Sequence, residues 1–204
     1  IKVLAQSSHM GAALDAFSSA VQDGQIDLEQ YNYFESIEYG SSFRYFLKEY
    51  GYYDLMLVTL GGDIVYSTKR ESDLGQNLFA PPLAESQLAN SLGRGFKTAV
   101  VTDFQIYLPS DGRVISFLIA PIDQGSGTIG AVVLKMTNRA LNEIMLERSG
   151  MGKTGETYLV GPDRLMRSDS FLDRNNRSVS ASFKNPELGS VETKASQAAL
   201  EGKT

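Results

Sequence analysis

The chain of 204 residues contains no cysteine, no tryptophan and only one histidine, His9. Without cysteine it can form no disulfide, no thiolate zinc site and no thiol nucleophile, and its redox compartment stays open. With one histidine it can build neither a Ser-His relay nor a histidine-rich metal centre. Positive charge is also scarce: 19 Lys and Arg stand against 24 Asp and Glu, a formal net charge of −5. No basic cluster offsets that balance, so nucleic acid is not an expected partner. No charge-free apolar run approaches the ~18 residues that a membrane-spanning helix needs. Any membrane attachment is therefore expected only through flanking segments, and a chain that opens on Ile1 without a secretion signal reads as a fragment. The remainder is ordinary for a globular chain, 42% apolar and 21% charged, enough for one core and part of another.

Two helical stretches come first. Met10, Leu14, Phe17 and Val21 recur at spacings of 4, 3 and 4, which makes one apolar stripe. Such a stripe fits a helix packed on its own domain or a stalk helix in a dimer. Residues 28–50 form the second stretch. Phe34, Ile37, Tyr45 and Phe46 supply its expected apolar face, and Gly51 its stop.

The pattern then changes to strands. Residues 55–60 form a continuous apolar run, Gly61-Gly62-Asp63 is turn chemistry, and residues 64–68 resume as a strand, together a hairpin signal. Residues 69–97 are polar and punctuated, with helical character around 83–92 and a barrier at Pro81-Pro82. Three further strands are expected over 99–107, 113–121 and 128–137, with turns at 110–112 and 124–127. A helix follows over 138–148, with Leu141, Ile144 and Met145 on one side. This order predicts an α+β fold, a five-stranded antiparallel sheet with helices on one face and a crossing segment that can enclose a cavity.

The outline Gly61-Gly62-Asp63-Ile64-Val65-Tyr66-Ser67 recurs as Gly161-Pro162-Asp163-Arg164-Leu165-Met166-Arg167, each copy after an apolar strand. The interval is about one module. The second module looks incomplete: polar residues and a weak helix over 192–200 follow, without three returning strands.

These residues carry a family resemblance. Tyr53-Asp54-Leu55-Met56-Leu57-Val58 followed by Gly62-Asp63-Ile64-Val65-Tyr66-Ser67 resembles the first hairpin of double-Cache (PAS-like, PDC) extracytoplasmic sensor domains. Gly155-Glu156-Thr157-Tyr158-Leu159-Val160-Gly161-Pro162-Asp163, then Met166-Arg167-Ser168-Asp169, resembles the start of the second module and is the more specific part. The resemblance covers residues 51–204. It implies the periplasmic portion of an inner-membrane receptor, such as a chemoreceptor, histidine kinase or nucleotide cyclase. Residues 1–50 would be a helical stalk that supports a homodimer, residues 51–148 the membrane-distal, ligand-binding module, and residues 149–204 the start of the proximal module. One family pattern is missing. Amino-acid-binding members carry Arg-x-Trp-Tyr, whereas this chain has only Arg44-Tyr45-Phe46.

Other motifs lead nowhere. Gly152-Lys153-Thr154 and Gly202-Lys203-Thr204 resemble the end of a phosphate loop, but Glu147 and Gln197 stand where its first glycine belongs. Gly61-Gly62-Asp63 resembles a diguanylate cyclase signature but lacks the acidic partner that metal binding needs. Asp63, Asp111 and Asp123 sit in turns, where aspartate is expected; only Asp103 falls in a strand. No cofactor, metal or catalytic residue is therefore expected.

Candidate ligand contacts are polar residues that interrupt apolar strands: Tyr66, Thr68, Asp103, Gln105, Tyr107, Ser116 and Lys135. Asp103, Gln105 and Tyr107 alternate and would share a face. Asp103 and Lys135 could hold the two ends of a zwitterion or bridge each other. The expected function is small-molecule sensing relayed through helices. The alternative is an interaction module that senses through a periplasmic binding protein. A hydrolase using paired carboxylates is the third and weakest reading.

Overall fold

The computed structural model describes residues 1–125 and 127–202. The chain divides into two compact units, Ile1–Asp103 with Tyr107–Met136, and Phe104–Ile106 with the residues from Thr137 onward.

The first unit opens with the helices α1 (Lys2–Ala5) and α2 (Ser8–Ala20) and a small ladder of β1 (Val21–Gln22) with β2 (Gln25–Ile26). Helix α3 (Leu28–Tyr33) runs into a π-helical turn (Phe34–Glu38) and then α4 (Gly40–Tyr50). Then come β3 (Asp54–Thr59), β4 (Ile64–Ser67), α5 (Gln87–Gly95), β5 (Val100–Val101), β6 (Gln105–Tyr107, of which only Tyr107 belongs to this unit), β7 (Arg113–Gln124) and β8 (Gly127–Met136). The main sheet runs β4-β3-β8-β7-β5, every neighbour antiparallel.

Both faces of this sheet are buried. Leu55, Leu57, Val65, Tyr66, Ala120, Ile122, Val132 and Leu134 meet the N-terminal helices. Met56, Val58, Ile64, Phe117, Ile119, Ala131 and Val133 meet Leu78, Leu83, Leu88 and Leu92 of the crossing segment. This corrects the expectation of helices on one face. The unbroken apolar run in β3 is the physical cause, because a strand covered on both sides has no polar alternation.

The stripe Met10, Leu14, Phe17 and Val21 is buried in the first cluster. Residues 1–50 thus pack within the first unit instead of standing apart as a stalk. The stretch 28–50 is broken rather than continuous. The Tyr39 N–H donates to the Phe34 carbonyl at 2.9 Å, a step of five residues. That wide turn shifts the helical phase. Tyr31, Glu35, Tyr39, Phe43 and Leu47 face inward, while the expected face residues Ile37 and Tyr45 are 69% and 66% exposed. Gly40 is required here, since a Cβ would lie 2.3 Å from the Glu35 carbonyl oxygen. Gly51 ends α4 in the left-handed region at φ 71.

The single strand expected over 99–107 is two short ones. Thr102 still exchanges bonds with Phe117, and the chain then leaves the ladder. The crossing segment returns along the outer edge of β4. Gly75 and Leu78 N–H groups donate to the Ile64 and Gly62 carbonyls, at 2.9 and 2.8 Å, and the Ile64 N–H donates to the Gln76 carbonyl at 2.9 Å. In α5, Ser86 caps the N-terminus by accepting from the Ala89 N–H.

The second unit holds α6 (Arg139–Met145), α7 (Arg174–Arg177), α8 (Val179–Lys184), α9 (Pro186–Gly189) and α10 (Lys194–Leu200). The repeated hairpin is reduced to one bridge, Val160 with Met166, and among the described residues no returning strands follow it. Asp169 ties this unit together by accepting from the Asn138 and Asn142 side-chain amides, each at 2.9 Å, and from the Val179 N–H at 2.8 Å. The second Gly-Lys-Thr begins at Gly202; Lys203 and Thr204 lie outside the described residues, as does Ser126 in the turn 124–127.

Candidate functional site

The site is built around Lys135. Along β8 it shares a face with Ala131 and Val133, and it is fully buried. Antiparallel pairing sets Asp54, the first residue of β3, directly opposite it. Their Nζ–Oδ2 separation is 3.3 Å, and both side chains are fully buried. The start of the crossing segment adds Glu71 and Asp73, each 2.8 Å from the same Nζ. One ammonium therefore meets three carboxylates.

Hydroxyls complete the shell. Tyr107 donates to Asp73 Oδ2 at 2.9 Å, and Lys135 Nζ lies 5.2 Å from the centre of its ring. Tyr53 donates to Glu71 Oε1 at 2.6 Å, and Ser110 donates to Glu71 Oε2. The Ser67 hydroxyl donates to Asp54 Oδ2 at 2.9 Å, and the Lys69 N–H donates to Oδ1 at 3.0 Å. Asp73 is fully buried, yet its Oδ1 has no hydrogen-bond partner among the described residues. Two exposed cations, Lys69 and Arg113, stand over the Tyr53 ring at the rim.

The charges follow from this geometry. Burial opposes the Lys135 ammonium, but Asp73, Asp54 and the hydrogen bonds outweigh it and hold its pKa above the ordinary lysine value. Burial pushes the Asp54 carboxyl up despite Lys135 beside it. Burial also opposes Glu71, but donors from Lys135, Ser110 and Tyr53 bring it below the usual range. Among the described residues no group of His, Cys, Asp or Glu could hold a metal ion.

Of the residues expected from sequence, Lys135 and Tyr107 come together here. Tyr66 does not: it points to the other face, where its hydroxyl donates to Glu35 at 2.6 Å and its ring packs, tilted, against Phe17. Thr68 is half-buried and donates to the Leu55 carbonyl at 3.4 Å. Ser116 is buried and spends its hydroxyl on the Thr102 carbonyl at 2.8 Å. Asp103 and Gln105 are exposed, whereas Tyr107 is 3% exposed. Lys135 bridges to Asp54, Glu71 and Asp73. Those three acids and Tyr53, Ser67 and Ser110 are the residues that sequence reasoning missed.

Alkaline stability provides one test of this packing. Burial is the first cause raising Tyr31, Tyr66 and Tyr107 well above 10 and Tyr53 to about 12. Unfolded tyrosine and lysine titrate near 10 to 10.4, so the folded state holds more protons above that pH. Stability is then fully present below about pH 10 and is lost as pH rises through the shifted values. The urea midpoint should hold up to about pH 10 and fall above it, less steeply in Tyr107→Phe. A flat profile would contradict the burial of these hydroxyls.

No family model and no curated protein matches the chain. Solved structures do. The sensory domain of the Campylobacter jejuni chemoreceptor Tlp3 aligns at TM-score 0.51 and 12% identity, over 95% of this chain and 70% of that one. The ligand-binding domain of the Pseudomonas fluorescens chemoreceptor CtaA, solved with L-valine, aligns at TM-score 0.46 and 14% identity, over 90% and 77%. The sensor domain of the V. cholerae histidine kinase DctB aligns at TM-score 0.42 and 16% identity, over 78% of this chain and 60% of that one. The Tlp3 likeness shows a shared fold: α+β, with N-terminal helices and an antiparallel sheet. No helix among the described residues is long and apolar enough to cross a membrane.

Proposed function

We propose that this chain is a non-catalytic, extracytoplasmic ligand-sensing region of a bacterial transmembrane signalling receptor, of the chemoreceptor, histidine kinase or nucleotide cyclase kind. A small molecule binds the first unit at the Lys135 cluster and is sensed through the helices. The observation that carries this reading is convergence: acids from β3 and the crossing segment, with hydroxyls from Tyr53, Ser67, Tyr107 and Ser110, meet at one lysine. Asp73 Oδ1 offers a buried acceptor to a ligand donor. The Tlp3 likeness supports the fold of such a region. Homodimerisation, if through α2, uses its exposed face of Ser8, Ala12, Asp15 and Ser19, because the apolar stripe is spent on the sheet.

Thermal unfolding against amino acids, amines, organic acids, purines and sugars tests the reading. A ligand at ~100 times its dissociation constant adds about 2.7 kcal/mol, a rise of several degrees at this size. One chemical class should produce that rise, and Asp73→Asn should lose it. No rise with any class, or a rise untouched by Asp73→Asn, would overturn the assignment of this site.

A further inference from the structure

We infer that the end of β4 couples the Lys135 cluster to the π-helical turn on the opposite face of the sheet, with Ser67 as the shared residue. The inference concerns regulation of that cluster and rests on its reading as the ligand site only for its purpose; the coupling itself is measured without ligand.

Neighbouring residues of one strand serve the two faces. Tyr66 pairs with Leu57 and faces the N-terminal helices, while Ser67 pairs with Met56 on the crossing-segment side. Through its side chain Ser67 belongs to the cluster: its hydroxyl donates to Asp54 and accepts from the Arg70 N–H, both at 2.9 Å. Through its backbone it belongs to the helices. The Tyr31 hydroxyl donates to the Ser67 carbonyl at 3.3 Å and stands 3.4 Å from its N–H. One residue earlier, the Tyr66 hydroxyl donates to Glu35 inside the π-helical turn, where Arg44 also pairs with Glu35. The Arg70 guanidinium lies over the Tyr31 ring at 4.7 Å.

Asp54 anchors this strand end twice, through Ser67 Oγ and the Lys69 N–H. Its own position depends on the charge of Lys135. A change in the cluster therefore alters the hold on residues 67–69, and with it the backbone that Tyr31 grips. The π-helical turn is the element able to respond, since a five-residue step is poorly stable on its own and recurs at functional places. Coupling then needs only two arrangements of that turn, biased from the cluster.

The test is a cycle of Asp54→Asn and Glu35→Gln followed by urea unfolding. Independent sites give unfolding constants whose ratios multiply to within about twofold. The double variant should depart from the product by about fivefold or more, and the departure should vanish when Ser67→Ala is added. Multiplicative behaviour, or a departure that survives Ser67→Ala, overturns the inference while leaving the ligand result untouched. Should the double variant not fold, amide exchange in Asp54→Asn alone decides. Exchange should rise more in Phe34–Glu38 than in α5; an equal rise in both overturns the coupling.

Discussion

Lys135→Met is expected to be among the most damaging single changes in the first unit. Methionine matches lysine in length and suits an apolar face, so packing loss is small. The charge is not replaced, and Asp54, Glu71 and Asp73 are left facing one another with little water. Removing one partner of a buried ionic group costs about 3–5 kcal/mol, or on the order of 10 °C in midpoint at this size. The loss should depend on pH in an unusual direction. Without the ammonium, the remaining carboxylates have folded pKa values above their unfolded ones. The folded state then binds more protons, and stability falls as pH rises through those values. The variant should accordingly be less impaired at pH 5 than at pH 8. Adding Asp73→Asn to it should recover part of the loss, since one of the unbalanced charges goes. A wild-type-like midpoint at pH 8 would mean that Lys135 is not buried among these acids.

Phe17→Ala should have an effect of similar size for a different reason. Phe17 is fully buried and touches the rings of Tyr31, Phe34, Tyr39 and Tyr66, with centroids 4.3 to 5.9 Å away. Truncating a core phenylalanine costs about 3–5 kcal/mol, part of it for the cavity left behind. The four neighbouring rings cannot collapse into the gap without breaking the Tyr66–Glu35 and Tyr31–Ser67 hydrogen bonds. The measurement is the urea midpoint together with its slope. A lower midpoint at unchanged slope is expected. A loss below about 1 kcal/mol would place α2 outside the core and restore a stalk for residues 1–50.

The two predictions lie on opposite faces of the sheet, and that arrangement was only half legible in the sequence. The hairpin at Gly61-Gly62-Asp63 and the strands around it were readable because turn chemistry and apolar runs are local. The two-sided burial was written in β3 as well, in the unbroken run from Leu55 to Val58, but a run of that kind does not say what covers each side. Lys135 stood out as a charge in an apolar strand. Its partners did not. Asp54 meets it through strand register, and Glu71 and Asp73 arrive on a loop, so none is visible from spacing. Tyr66 was misplaced because the pairing register shifts between Leu57 and Val58, which changes which side chains share a face. The helix break at Phe34–Glu38 escaped because a π-helical turn has no composition of its own; only Gly40, pressed against Glu35, marks the place.

The return of the crossing segment along β4 has a consequence for association. An outermost strand normally displays a row of free N–H and C=O groups, a template onto which another chain can add. Here residues 75–78 cover the Gly62–Ile64 end of that edge with their own backbone. At the opposite end of the row β5 offers only two residues, too few to nucleate a stable ladder. Both ends of the sheet therefore offer only a short edge for strand exchange between copies, which leaves contacts between molecules to side chains and helices.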